Sequence, residues 1–248
     1  MKIITCLCLL AITISGAAQN ETHDKMQHGK RDKMMKFLPA MTRSIGGSLQ
    51  KFDGLNGRVA GMAQYKQLKD YAGMLGLGWR NQYKHVISDF EISLASSMTG
   101  DRDEKSSTVH YVGVSGDIGY DLLENEKVSF FPLVGIGYQK YQAIFYKDNS
   151  EVNFNDVLNS TALETAISPV KFKNGFVVYR LGLGVALKSP KYPGNSIGLQ
   201  AGYIGSFQKR EWRTNDNQVL LNSPEDRISQ FYISLVLTSK PWMMMKKM

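Results

Sequence analysis

Between residues 71 and 238 the chain repeatedly alternates a large apolar residue with a small or polar one, and only extended backbone sorts such a sequence onto two faces. Residues 176–188 put Val177, Tyr179, Leu181, Leu183, Val185 and Leu187 on one face and Arg180, Gly182, Gly184, Ala186 and Lys188 on the other. Residues 71–79, 86–96, 109–122, 128–146, 196–208 and 230–238 repeat the scheme. This predicts seven strands, and closure of the sheet calls for an eighth over residues 44–52, where Ile45 and Leu49 alternate weakly with Gly46, Ser48 and Gln50. Pro132 cannot donate to a ladder, so it belongs near the start of its strand.

The connections are the more specific signal. They run long (53–69), short (81–85), medium-long (97–108), short (121–127), long (147–174), short (188–195) and long (210–228). An up-and-down meander with tight turns at one rim and large loops at the other gives this order. The expected fold is all-β: a closed antiparallel up-and-down transmembrane β-barrel of eight strands over residues 44–240.

Composition allows this. The chain has 248 residues, of which 43% are hydrophobic and 21% charged, enough apolar material for a folded domain. Mean hydropathy is -0.25, and after the first 20 positions no apolar run reaches about 18 residues, which excludes a polytopic helical membrane protein. Barrel strands escape that test because each averages a lipid face with a lumen face. At the N-terminus Lys2, an apolar stretch over 3–14 and small residues over 15–19 are arranged as a signal peptide (1–18) cleaved after Ala18. Both cysteines, Cys6 and Cys8, lie inside it, so the expected mature chain has neither disulfide nor thiol chemistry. Residues 19–43 read as a flexible periplasmic lead-in and 241–248 as a short cationic tail.

Alternation alone fits two barrels. A soluble periplasmic lipocalin-like carrier turns its apolar face inward; a membrane barrel turns it outward. Here the polar face carries Arg80, Asp89, Glu91, Asp117 and Arg180 among many Gly and Ser, a costly interior for a soluble core. In a narrow membrane barrel the same residues can pair across a lumen wide enough only for side chains. A lumen polar network is therefore expected, with Arg80 and Arg180 meeting Asp89, Glu91 and Asp117, structural rather than conducting. On the apolar face Trp79 and Tyr120 fall at short-turn ends, and Tyr71, Tyr179, Phe207 and Phe231 toward long-loop ends, as lipid-interface aromatics do.

With its signal peptide, its loop asymmetry and Gly-aromatic strands such as 179–184 (Tyr-Arg-Leu-Gly-Leu-Gly) and 133–138 (Leu-Val-Gly-Ile-Gly-Tyr), the chain resembles the small outer-membrane β-barrel family of Gram-negative bacteria, the eight-stranded kind that includes the OmpA membrane domain and OmpX. The resemblance implies residence among outer-membrane lipids and lipopolysaccharide and insertion by the outer-membrane assembly machinery. It implies no substrate. The family usually ends on an aromatic residue closing the last strand, whereas here Pro241, Trp242, three methionines, two lysines and a final methionine follow.

Chemistry is sparse. There is no Gly-x-Ser-x-Gly elbow, phosphate loop, His-Glu-x-x-His helix or paired-cysteine site, so neither enzyme nor cofactor is expected. His85 and His110 read as rim residues. His23, Asp24, Met26, His28, Met34, Met35 and Met243 to Met245 lack regular ligand spacing, and no metal site is assigned to them. Lys25, Lys30, Arg31, Lys33, Lys36, Lys246 and Lys247 make the tails cationic, suited to anionic headgroups or peptidoglycan and not, in this compartment, to nucleic acid. The long outer loops are the place for an unknown surface ligand. The expected role is structural or cell-surface binding with a plugged lumen; the alternatives are a small pore or transporter of the outer membrane and the soluble carrier.

Overall fold

The computed structural model describes residues 39–100, 105–123, 125–190, 192 and 194–240. The expected signal peptide, the lead-in up to residue 38 and the cationic tail lie outside the described residues.

Eight long strands form the wall: β1 (Ala40–Gln50), β2 (Tyr71–Tyr83), β3 (Val86–Thr99), β4 (Ser106–Tyr120), β5 (Val128–Tyr146), β6 (Val170–Lys188), β7 (Ser196–Ser206) and, after three two-residue strands, β11 (Ser229–Ser239). Each pairs antiparallel with its neighbours in sequence, and β1 pairs with β11 to close the sheet. The small strands β8 (Arg210–Glu211), β9 (Arg213–Thr214) and β10 (Glu225–Asp226) belong to the connection between β7 and β11. Three short helices sit in the long loops: α1 (Asp53–Val59), α2 (Phe154–Asn159) and α3 (Thr161–Ile167).

The alternation resolves as one apolar outer face and one mixed inner face. Leu75, Ile118, Val134, Leu183 and Ile233 point outward and are more than half exposed, while Arg80, Asp117 and Arg180 point inward and are buried. β1 starts at Ala40, earlier than the weak pattern at 44–52 suggests. The reason is Arg43, an exposed cation in the outward row that breaks the apolar count. Pro132 stands one position beyond the last β4 pair, Gly119 with Leu133, so its missing donor costs no ladder bond to β4.

Closure staggers the strands. A row of paired residues followed around the barrel leaves β1 at Ala40, passes Arg80, Asp89, Asp117, Gly135, Arg180, Ile204 and Gln230, and returns to β1 at Gln50, having climbed the length of the strand. The interior is thus divided by height. Near the short turns, Ile87, Phe131, Leu133 and Ala186 make a small apolar floor beneath the charged residues. Near the long loops a larger cluster gathers around Phe52, Tyr141, Phe145, Phe176 and Trp212.

Candidate functional site

The charged residues come together because the register puts them on one row and glycine leaves the gap between them. Arg80 grips Asp89 with two parallel bonds, Nε to Oδ1 at 2.7 Å and Nη2 to Oδ2 at 2.6 Å. The Arg80 guanidinium also lies 5.2 Å from the centre of the Phe131 ring, where the floor begins. On the far side, Arg180 reaches Asp117 (Nε to Oδ1, 3.4 Å) and Glu91 (Nη2 to Oε2, 3.8 Å), and its Nη1 donates to the Ser115 hydroxyl. The Asp117 approach is an ion pair rather than a hydrogen bond, since neither atom finds hydrogen-bond geometry there. Between them in the row stands Gly135, where a Cβ would collide with the Asp117 carboxylate. Gly76 does the same for Glu91, whose Oε1 accepts from Ser44 at 3.2 Å. All five residues singled out from the sequence therefore occupy one group at the short-turn half of the interior, with Arg80, Asp117 and Arg180 buried and Asp89 and Glu91 partly so.

Below it, Asp121 ties the short-turn rim. Its side chain accepts from the Leu123 and Phe130 N–H groups, both at 3.2 Å, and from Lys188 Nζ at 3.2 Å. Burial pushes this carboxyl up, but the Leu123 N–H, Ser129 and Lys188 outweigh burial and hold it below its ordinary 3.8. His85 lies at the same rim, with Nδ1 3.1 Å from the Asp121 carbonyl oxygen and its ring stacked on Tyr120. His110 is exposed on the outward face of β4.

The long-loop half is unlike anything singled out in the sequence. Tyr141, fully buried, stands in the centre with Tyr111, Phe52 and Phe176 around it at ring separations of 5.1, 5.5 and 5.8 Å. Its hydroxyl lies within 2.9 to 3.3 Å of the amide oxygens of Gln139, Gln50 and Gln230. Over this stack fold two loops. The first carries α1, a helix of seven residues with two glycines, too short to persist alone. It holds because Leu55 and Val59, one turn apart, both pack into the cluster. Its start has no cap from its own chain segment. Instead Asp226, from the loop between β7 and β11, accepts from the Gly54 N–H (2.7 Å) and the Leu55 N–H (3.1 Å), and also from Trp212 Nε1 (2.7 Å). Trp212, fully buried, lies 5.8 Å from Phe52. Burial pushes the Asp226 carboxyl up, further than these three donors pull it down.

The interface aromatics fall at both heights of the outer face. Trp79 stacks on Phe90 at the short-turn end. Tyr71, at the other end, meets Lys69 Nζ at its hydroxyl (2.9 Å). Tyr179, Phe207 and Phe231 join through Tyr203 into one chain of rings, with separations of 5.3, 6.1 and 5.1 Å. Trp212, Asp226 and α1 are the parts that sequence reasoning missed. Their signal was the loss of alternation at the outer strand ends, where Val109, Tyr111, Phe176 and Val178 make both faces apolar.

These features define a small eight-stranded up-and-down barrel with an apolar exterior and a packed, two-level interior. It is similar to the crystal structures of Ail, the attachment invasion locus protein of Yersinia pestis (15% identity, TM-score 0.43, covering 82% of this chain and 98% of that one), of Neisserial surface protein A (12%, 0.43, 82% and 97%) and of a major outer membrane protein from Thermus thermophilus (13%, 0.43, 80% and 99%). No protein-family model matches the sequence, and no curated protein matches it.

Proposed function

We propose that the chain is a non-enzymatic outer-membrane barrel, exported with a cleaved signal peptide, whose interior is occluded and whose work is structural or done at the cell surface by its long loops. The observation that carries this reading is the inversion of its faces: over the short-turn half of the wall the outward rows are mainly apolar and exposed, while Arg80, Asp117 and Arg180 with their glycine and serine neighbours point inward and are buried. In water that exterior would be a contiguous apolar surface far beyond what a soluble monomer tolerates. In a bilayer it is the solvated surface. The shortest wall strands, β1, β7 and β11, have 11 residues each, the length a tilted strand needs to cross. Occlusion follows from filling at both levels: guanidinium–carboxylate pairs and their apolar floor at one end, a ring stack under two folded loops at the other. The short turns, the start of β1 and the end of β11 then face the periplasm, and the long loops face outward.

Single cysteines at Leu181, in the outward row, and at Leu221, in the loop between β7 and β11, test the orientation in vesicles. A membrane-impermeant thiol reagent is expected to label Leu221→Cys and to spare Leu181→Cys, which a lipid-soluble reagent labels. Rapid water-phase labelling of Leu181→Cys would overturn the reading, and stable single-channel openings in planar bilayers would overturn the occlusion.

A further inference from the structure

The outward rows of β5 and β6 change character at one height. On β5, Val134, Ile136 and Tyr138 give way to Lys140; on β6, Leu181, Tyr179 and Val177 give way, past Gly175, to Lys173. Tyr138 pairs with Val177, Lys140 with Gly175 and Gln142 with Lys173, so the change is level across both strands. The connection between β7 and β11 descends onto this place. β9 pairs with Phe172 and Lys173, Arg210 Nη1 donates to the Gly175 carbonyl at 2.9 Å, and Asn174 Nδ2 donates to the Arg210 carbonyl at 2.9 Å. The outcome is a cleft of about 500 Å³ whose lining includes Lys140, Lys173, Lys209, Arg210 and Arg213.

Two acids, Glu211 and Glu225, also line it, facing each other across the β8–β10 pair. Yet none of the five cations forms an ion pair with a described residue. Five cations against two acids leave an excess of three positive charges around one opening, a local positive potential that an anion relieves. Their height sets the kind of anion. They stand just beyond the apolar and aromatic edge of the wall, the level at which lipid headgroups carry their phosphates. Lysines there can lay their stems on apolar surface and present their ammonium groups outward, and arginines grip phosphate with two donors.

We propose that this cleft binds the phosphate groups of an anionic glycolipid of the outer leaflet, with acyl chains lying along Val134, Ile136 and Leu181. The proposal rests on the membrane-spanning reading above. It is tested by native mass spectrometry of the full chain in detergent micelles with diphosphoryl lipid A, with the same lipid after phosphate removal, and with soluble inositol hexakisphosphate. The variants are K140Q, K173Q, K209Q and R213Q, singly and together, with K84Q at the opposite rim as control. Each cleft substitution is expected to weaken lipid A binding about fivefold, the four together by about two orders of magnitude or more, while K84Q and phosphate-free lipid leave the variants indistinguishable. Equal lipid A binding by the quadruple variant, or by the single variants should the quadruple not fold, overturns the proposal. Cleft-dependent binding of the soluble polyphosphate without retention of lipid A overturns the lipid assignment. A chain whose Leu181→Cys form is shielded from water-phase labelling but whose variants bind equally loses this proposal alone; one that is labelled there loses the barrel reading first.

Discussion

At the short-turn end of the barrel Arg80 and Arg180 hold Asp89, Glu91 and Asp117; at the long-loop end Tyr141, Phe52, Phe176 and Trp212 fill the same cross-section with rings. The first group lies on β2, β3 and β4 and, across Gly135 of β5, on β6, and is set by register. The second is completed by loops, through a carboxylate that joins residues 172 positions apart in sequence. The two fillings fail differently. A charged group loses its balance when one member goes, whereas an aromatic stack loses contacts in proportion to what is removed.

The sharpest way to break the comparison is Arg180→Met. It leaves Asp117 and Glu91 facing each other in a buried site, and we expect a loss of about 3–5 kcal/mol in urea unfolding from micelles or vesicles. Adding Asp117→Leu to the same chain is expected to recover much of that loss, because the pair goes together. A double variant as unstable as the single one would mean that the group is not balanced as a unit. In the other half, Trp212→Phe keeps a ring but removes the donor to Asp226, at an expected cost of about 1.5–3 kcal/mol. Its signature is local: faster proteolysis within residues 207–228, with wall-strand amide exchange unchanged. Tyr141→Phe removes one hydroxyl from the amide ring around it, and a loss of about 1 kcal/mol by thermal unfolding is expected.

Acid gives the subtlest contrast, because the two rim carboxylates titrate in opposite senses. Asp121 is held below 3.8, so its contribution is present above that pH and lost as pH falls through its folded value. Asp226 is raised above 3.8, so its contribution is greatest below that pH and is lost as pH rises through its folded value. Asp121→Asn should therefore flatten the acid limb of the stability profile below pH 3.8, and Asp226→Asn should flatten a decline above it. Identical profiles for the two variants would erase the distinction.

The wall was legible in the sequence because its two faces obey period two, and Arg80, Asp89, Glu91, Asp117 and Arg180 stood out as charges on strand faces rich in glycine and serine. Strand β1 was faint, since Arg43 interrupts its outward row and small residues fill the inward one. The upper interior was hidden for a different reason. Where Tyr111, Phe176 and Val178 face inward beside the outward Val112, Val177 and Tyr179, alternation disappears, and a run of apolar residues does not say which of them face in. Trp212 and Asp226 lie in a polar loop with no periodicity, and nothing local marks them as partners of a glycine-containing turn far upstream.

The seam between β1 and β11 has a kinetic consequence. Leu49 meets Phe231 and Met41 meets Ser239 there, contacts between the two extremes of the described chain, while the other seams join strands adjacent in sequence. Loop-closure entropy makes such a pairing slow relative to hairpin formation. The hairpins therefore form as a growing open sheet, and the first and last strands remain bare edges until the end. The assembling molecule is sticky at both margins for as long as closure takes, and becomes inert to further strand pairing in the single step that joins them.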